Sequence, residues 1–131
     1  MLNYFGKQKT NIIKTFILVF FIGNGFVFAN SKIIPRKILA LYKGSDNHTE
    51  EANEIYQLAQ LPLNNLGLVV EYVDAEGELP NPDQMTDYRG VFTWFITNHM
   101  KNAYNYRRWL LKILNEKKLP VLIFDRLGAY Q

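Results

Sequence analysis

Leu61-Pro-Leu-Asn-Asn-Leu-Gly-Leu-Val-Val-Glu-Tyr-Val-Asp74 decides the fold of this chain. It reads as the end of a helix, a glycine stop, and a buried strand that delivers an acidic residue at its tip. Helix, glycine, apolar strand and Asp in that order make up half of a βαβ unit. Working outward, a matching apolar run lies upstream at Lys37–Tyr42. A further helix–strand pair lies downstream, with strands at Gly90–Phe95 and Val121–Phe124. Strands this uniformly apolar are buried on both faces, which is the habit of parallel sheets covered by helices. The alternation predicts an α/β fold with a parallel, flavodoxin/Rossmann-like sheet of about four strands in the order 2-1-3-4.

The connections carry their own signals. Thr49, Glu50 and Glu51 suit a helix start, an N-cap followed by two acids at the positive end. Apolar residues at Ala52, Ile55, Leu58, Ala59, Pro62, Leu63 and Leu66 draw one helical stripe. Pro62 lies inside it and predicts a kink or restart near Gln60–Leu61. Gly67 is the stop. Ala75–Asp87 is loop-like, with one helical turn over Asp83–Tyr88. A second helix follows Asn102 as cap, with a buried stripe of Tyr106, Trp109, Leu110, Ile113 and Leu114.

Ahead of this domain the chain reads as a targeting segment. Lys7, Lys9 and Lys14 precede an uncharged apolar run, and Val27 and Ala29 occupy the small-residue positions of a cleavage site. That is a secretory signal peptide, residues 1–29. The run from Thr15 to Ala29 is 15 residues, short of the ~20 that span a bilayer. Contact with a membrane is therefore expected through the signal alone, and the location expected is secreted or periplasmic. Residues 30–36 are a lead-in, and 37–131 form the α/β domain. The 12 acidic residues all follow Ala29, as do 12 of the 15 Lys and Arg, so the exported part is formally neutral. Its basic residues are scattered, which argues against a nucleic-acid partner. There is no cysteine, so the domain must stand on its apolar core. The sequence stops soon after the fourth strand, where a doubly wound domain has a covering helix. It therefore reads as incomplete at its C-terminus, with an open apolar edge awaiting a continuation or a partner domain.

Ligands of parallel sheets bind outside the carboxyl ends of the strands. Those ends carry Lys43, Gly44, Ser45 and Asp46 after strand one, Asp74 after strand two, Thr97 and Asn98 after strand three, and Asp125 and Arg126 after strand four. The three Asp could converge as an acidic metal cluster, or each could cap a turn, as Asp commonly does. Gly44-Ser-Asp-Asn-His48 matches neither phosphate-loop pattern, so no nucleotide or other cofactor is expected. His48 and His99 lie in different loops, without a cysteine or a nucleophile elbow near them. Asn47-His48-Thr49 matches a glycosylation sequon. Aromatic residues cluster around strand three and helix two. Phe92, Phe95 and Trp109 are expected in the core, while Trp94, Tyr104 and Tyr130 are candidates for a carbohydrate-binding surface, since sugar C–H bonds lie well against a ring face.

Three blocks carry a family resemblance: Leu61–Tyr72, Tyr88-Arg-Gly-Val-Phe-Thr-Trp-Phe95 and Tyr106-Arg-Arg-Trp-Leu110. Together they resemble a flavodoxin/Rossmann-like domain of large secreted bacterial proteins that process exopolysaccharide, the Pel-type polysaccharide deacetylase and glycoside hydrolase family. The resemblance spans about Arg36 to Tyr130. In that family, de-N-acetylation belongs to a separate metal-dependent domain with an Asp and two His, and hydrolysis to paired carboxylates. Neither set occurs here, so no catalytic residue carries over. The resemblance implies an extracytoplasmic accessory domain of a polysaccharide-processing protein, not catalytic alone. The alternatives are a small extracytoplasmic metal-dependent enzyme built on Asp46, Asp74 and Asp125, or a protein–protein module that docks through the open edge.

Overall fold

A computed structural model describes residues 34–46 and 49–130. Four strands, β1 (Lys37–Tyr42), β2 (Val69–Asp74), β3 (Tyr88–Phe95) and β4 (Val121–Asp125), form one sheet in the order β2-β1-β3-β4. Every neighbouring pair is parallel. The expected topology is therefore the observed one. β1 gives way to β2 on one side and meets β3 on the other, so the strand order reverses between β1 and β3. The expected signal peptide, the start of the lead-in, and the sequon residues 47 and 48 lie outside the described residues.

Side chains alternate across the strands and define two cores. Leu39, Leu41, Val91 and Phe95 face α2 (Ala103–Lys112), which contributes Ala103, Tyr106, Trp109 and Leu110. Burying a side chain of this size contributes roughly 1.5–3 kcal/mol, so this face holds most of the apolar stabilisation. The opposite face is smaller: Ala40, Ile55 and Phe92, with Ala59, Leu63, Tyr72 and Trp94 around them. Trp109 Nε1 donates to the Pro80 carbonyl at 2.7 Å and ties the loop before β3 to α2. Thr93 and Tyr106 bury hydroxyls that find no hydrogen-bond partner of normal geometry. They lie close enough that Thr93 works against the burial that pushes the Tyr106 phenol upward.

The first connection restarts at Gln60, where Pro62 predicts it, and is more divided ahead of that point than the sequence suggests. It splits into a 3-10 turn at Glu50–Ala52, a π-helical turn at Ile55–Ala59, and α1 (Gln60–Asn65). Pro62 explains the division: it lacks an N–H, and its ring crowds the carbonyl four residues back. The turn before it widens, so that Gln60 N–H reaches Ile55 O, and the helix restarts at Gln60. The widened turn rotates Leu58 into solvent, and Leu66 is exposed as well. Thr49 makes no side-chain cap bond. Asn53 is the working cap, its Oδ1 accepting Tyr56 N–H at 2.9 Å. Gly67, at φ 74°, ends α1 in the left-handed region that favours glycine.

Smaller departures follow the same physics. α2 runs into a π-helical turn at Ile113–Lys117, and Leu114 leaves the buried stripe for solvent. Asn102 makes no cap bond, because its side-chain amide donates to Glu76 O at 2.9 Å. The helical turn before β3 is a 3-10 segment at Pro82–Asp87. β4 is an outer strand: among the described residues no strand pairs with its other side. Leu122, Ile123 and Phe124 are 53%, 42% and 44% exposed.

Candidate functional site

In a parallel sheet the crevice for ligands opens where the strand order reverses. Here that point lies between the ends of β1 and β3. β1 continues directly into Lys43, whose side chain is 1% exposed. Its ammonium donates to His99 O at 2.7 Å, to Thr97 O at 3.2 Å and to the Thr97 hydroxyl. Three residues on, the turn brings Asp46 back over it. Asp46 Oδ1 accepts from Lys43 Nζ at 2.9 Å and from Thr97 Oγ1 at 2.8 Å. Its Oδ2 accepts Ile96 N–H at 3.0 Å and Thr97 N–H at 3.1 Å. Burial acts to raise the pKa of this carboxyl, but the hydrogen bonds from Lys43 and Thr97 and the Lys43 charge outweigh it and hold it below the ordinary value.

Two more carboxylates close the neighbouring loops. Asp74 Oδ1 accepts Gly44 N–H and Glu76 N–H, each at 2.9 Å. A Cβ at position 44 would run into that carboxylate, so any larger residue there would have to displace the Asp74 side chain. Glu76 accepts Ser45 N–H and Lys101 N–H, each at 3.0 Å. Burial pushes its pKa up, and these bonds win and lower it. Asp125 stands apart, at φ 62° and paired with Arg126 at 3.3 Å. Asp46 and Asp74 are thus committed to loop amides, and Asp125 to a surface ion pair. Among the described residues no three His, Cys, Asp or Glu side chains gather as a metal site.

The aromatic candidates separate. Trp94 lies on the smaller-core face of β3, 6.4 Å from Phe92 and 5.0 Å from Phe124, ring centre to ring centre. Tyr104 belongs to α2, which covers the opposite face, and its ring lies 5.6 Å from the Arg108 guanidinium carbon. Tyr130 is at the rim, where its carbonyl accepts Met100 N–H at 2.8 Å and its side chain is exposed. Trp94 and Tyr104 therefore share no platform. The group that does form is Phe92, Trp94 and Phe124, with Leu122 beside it on the same face of β4. Phe124 was legible only as a strand residue. Lys43 is legible as a strand-end residue but not as the partner of Asp46; a Lys ending an apolar strand, with Asp three residues later, is the signal for that pair. Glu76 carries no such signal.

No protein-family model, curated protein or solved structure matches this chain.

Proposed function

We propose that the chain is a non-catalytic accessory domain of an exported polysaccharide-processing protein, and that it works by binding through the flank of β4. The observation that carries this reading is the apolar flank of β4, where Leu122 and Phe124 are exposed and the Phe124 ring packs on the half-buried Trp94 and the buried Phe92. Apolar side chains grouped on a surface mark interaction sites, and flat rings suit the C–H faces of sugars. The rim carboxylates Asp46, Asp74 and Glu76 support the non-catalytic half of the reading, because each accepts hydrogen bonds from backbone amides of neighbouring loops. The polysaccharide context comes from the sequence resemblance.

The test is a fluorescence titration of the full chain with N-acetylated amino-sugar oligosaccharides. The protein has two tryptophans, and Trp109 is buried, so Trp94 dominates the response. Saturable quenching that Phe124→Ala weakens at least tenfold, with no acetyl release when divalent metals are added, is the expected result. Acetyl release by the chain alone would overturn the non-catalytic reading. Absence of quenching would remove the carbohydrate.

One observation favours protein docking as a second reading. Ile123 is exposed on the face opposite Phe124, and the backbone edge between them is free among the described residues. Strand addition uses both faces and the edge, whereas a stacked sugar uses one face. Ile123→Lys would abolish strand addition and leave sugar quenching intact.

A further inference from the structure

We infer that the crevice between the ends of β1 and β3 is a carboxylate-binding site that this chain fills in cis with Asp46. The donors come from both strands and converge on a single carboxylate. Ile96 N–H and Thr97 N–H meet one oxygen, at 3.0 and 3.1 Å. The Thr97 hydroxyl and the Lys43 ammonium meet the other, at 2.8 and 2.9 Å. Two amides on one oxygen, with a hydroxyl and a cation on its twin, fit a planar two-oxygen anion better than a spherical halide. A backbone nest beside a fixed cation is a general anion trap, and it sits where ligands of such sheets bind.

The donors also persist without Asp46. The two amides belong to Ile96 and Thr97, the first two residues after β3. Lys43 is held independently by the carbonyls of Thr97 and His99, at 3.2 and 2.7 Å. Truncating Asp46 to Ala therefore leaves a buried ammonium, a hydroxyl and two amides around a vacated volume the size of a small carboxylate. The inference stands apart from the docking reading, since none of these residues lies on the β4 flank, and loss of either leaves the other intact.

The experiment uses the full chain carrying Asp46→Ala, with sodium formate or acetate as probe and sodium chloride at equal ionic strength as control. Thermal unfolding is one readout. The amide NMR shifts of Ile96 and Thr97 are the other. Formate is expected to raise the melting temperature of Asp46→Ala by roughly 5 °C or more at saturating concentrations, and to shift both amides along one saturating curve. Wild type, whose site is filled, should respond as it does to chloride. The double variant Lys43→Met/Asp46→Ala should lose the response. If Asp46→Ala does not fold in chloride, the fraction folded in formate becomes the readout, and recovery of folded protein supports the site. A response to formate no larger than to chloride, or an equal response from wild type, overturns it.

Discussion

At the ends of β1 and β3, Asp46 takes hydrogen bonds from Lys43, Ile96 and Thr97. Along β4, Leu122, Ile123 and Phe124 reach solvent, and among the described residues no strand pairs with the outer side of theirs. The rim is polar yet saturated, whereas the flank is apolar yet uncovered. Polarity alone would have assigned these regions the wrong way round, with acids as the binding site and aliphatic strand as core. What distinguishes them is whether each group's physical demand is already met inside the chain. A buried carboxylate with its bonds made has little left to offer a ligand. Exposed apolar area continues to favour any partner that removes it from water.

Substitution provides the sharpest test of this contrast. Asp46→Ala removes one partner of a buried ion pair and should destabilise the domain by about 3–5 kcal/mol. Phe124→Ala, on the half-exposed flank, should cost less than about 1.5 kcal/mol while eliminating binding there. Urea unfolding of both variants decides the matter, and equal losses would erase the distinction between rim and flank. Acid offers a second route. The carboxyls of Asp46 and Glu76 are lowered in the folded state from ordinary values of 3.8 and 4.5. A lowered folded pKa gives stability that is present above the unfolded value and lost as pH falls through the folded one. Stability should thus be level near neutrality and decline once pH drops below that range, with a shallower decline in Asp46→Asn. An unchanged acid profile in that variant would show that the rim does not hold the fold.

Smaller effects refine the picture. Tyr106→Phe removes a buried hydroxyl that lacks a good partner and should stabilise the domain by about 1 kcal/mol, seen as a higher denaturation midpoint. The other edge of the sheet gives the smallest change. Glu71 of β2 pairs with Lys37 at 2.6 Å and accepts from the Tyr88 hydroxyl. The hydrogen bond from Lys37 is the main reason its pKa lies below the ordinary value. Exposed pairs of this kind contribute little, so Glu71→Gln should leave the midpoint within error. Glu71 gives the β2 edge strand a charged side chain, whereas β4 carries none between Val121 and Phe124.

The fold was legible because its signals are local and repeated. Apolar runs of five or six residues, Gly67 at φ 74° and Pro62 at its restart all act within a few positions of themselves. Helix phase was less legible. One extra residue in a π-helical turn re-aims everything after it, so Leu58, Leu66 and Leu114 are exposed despite correct spacing. The rim was legible as a place but not as a set of bonds. Asp46 meets Thr97 across 51 positions and Glu76 meets Lys101 across 25, pairings that no pattern of neighbours can indicate. The aromatic group is half legible: the sequence marks Trp94 as a surface ring and Phe124 only as a strand residue, because only the register of β4 against β3 sets the two opposite each other.

An all-parallel sheet also governs how the chain reaches this state. No two paired strands are neighbours through a hairpin. The pairings Lys37 with Val69, Lys37 with Tyr88 and Val91 with Val121 each close a loop of at least 30 residues. Such long-range closures must form before their contacts reward them, so assembly is slow relative to helical or hairpin-rich domains of the same length. β4 joins the sheet only through the 30-residue closure onto β3, and until then Val-Leu-Ile-Phe is unshielded, a segment of the kind that nucleates cross-β association. Closure covers one side of this strand alone, so the hazard is greatest before docking and persists at the free edge afterwards.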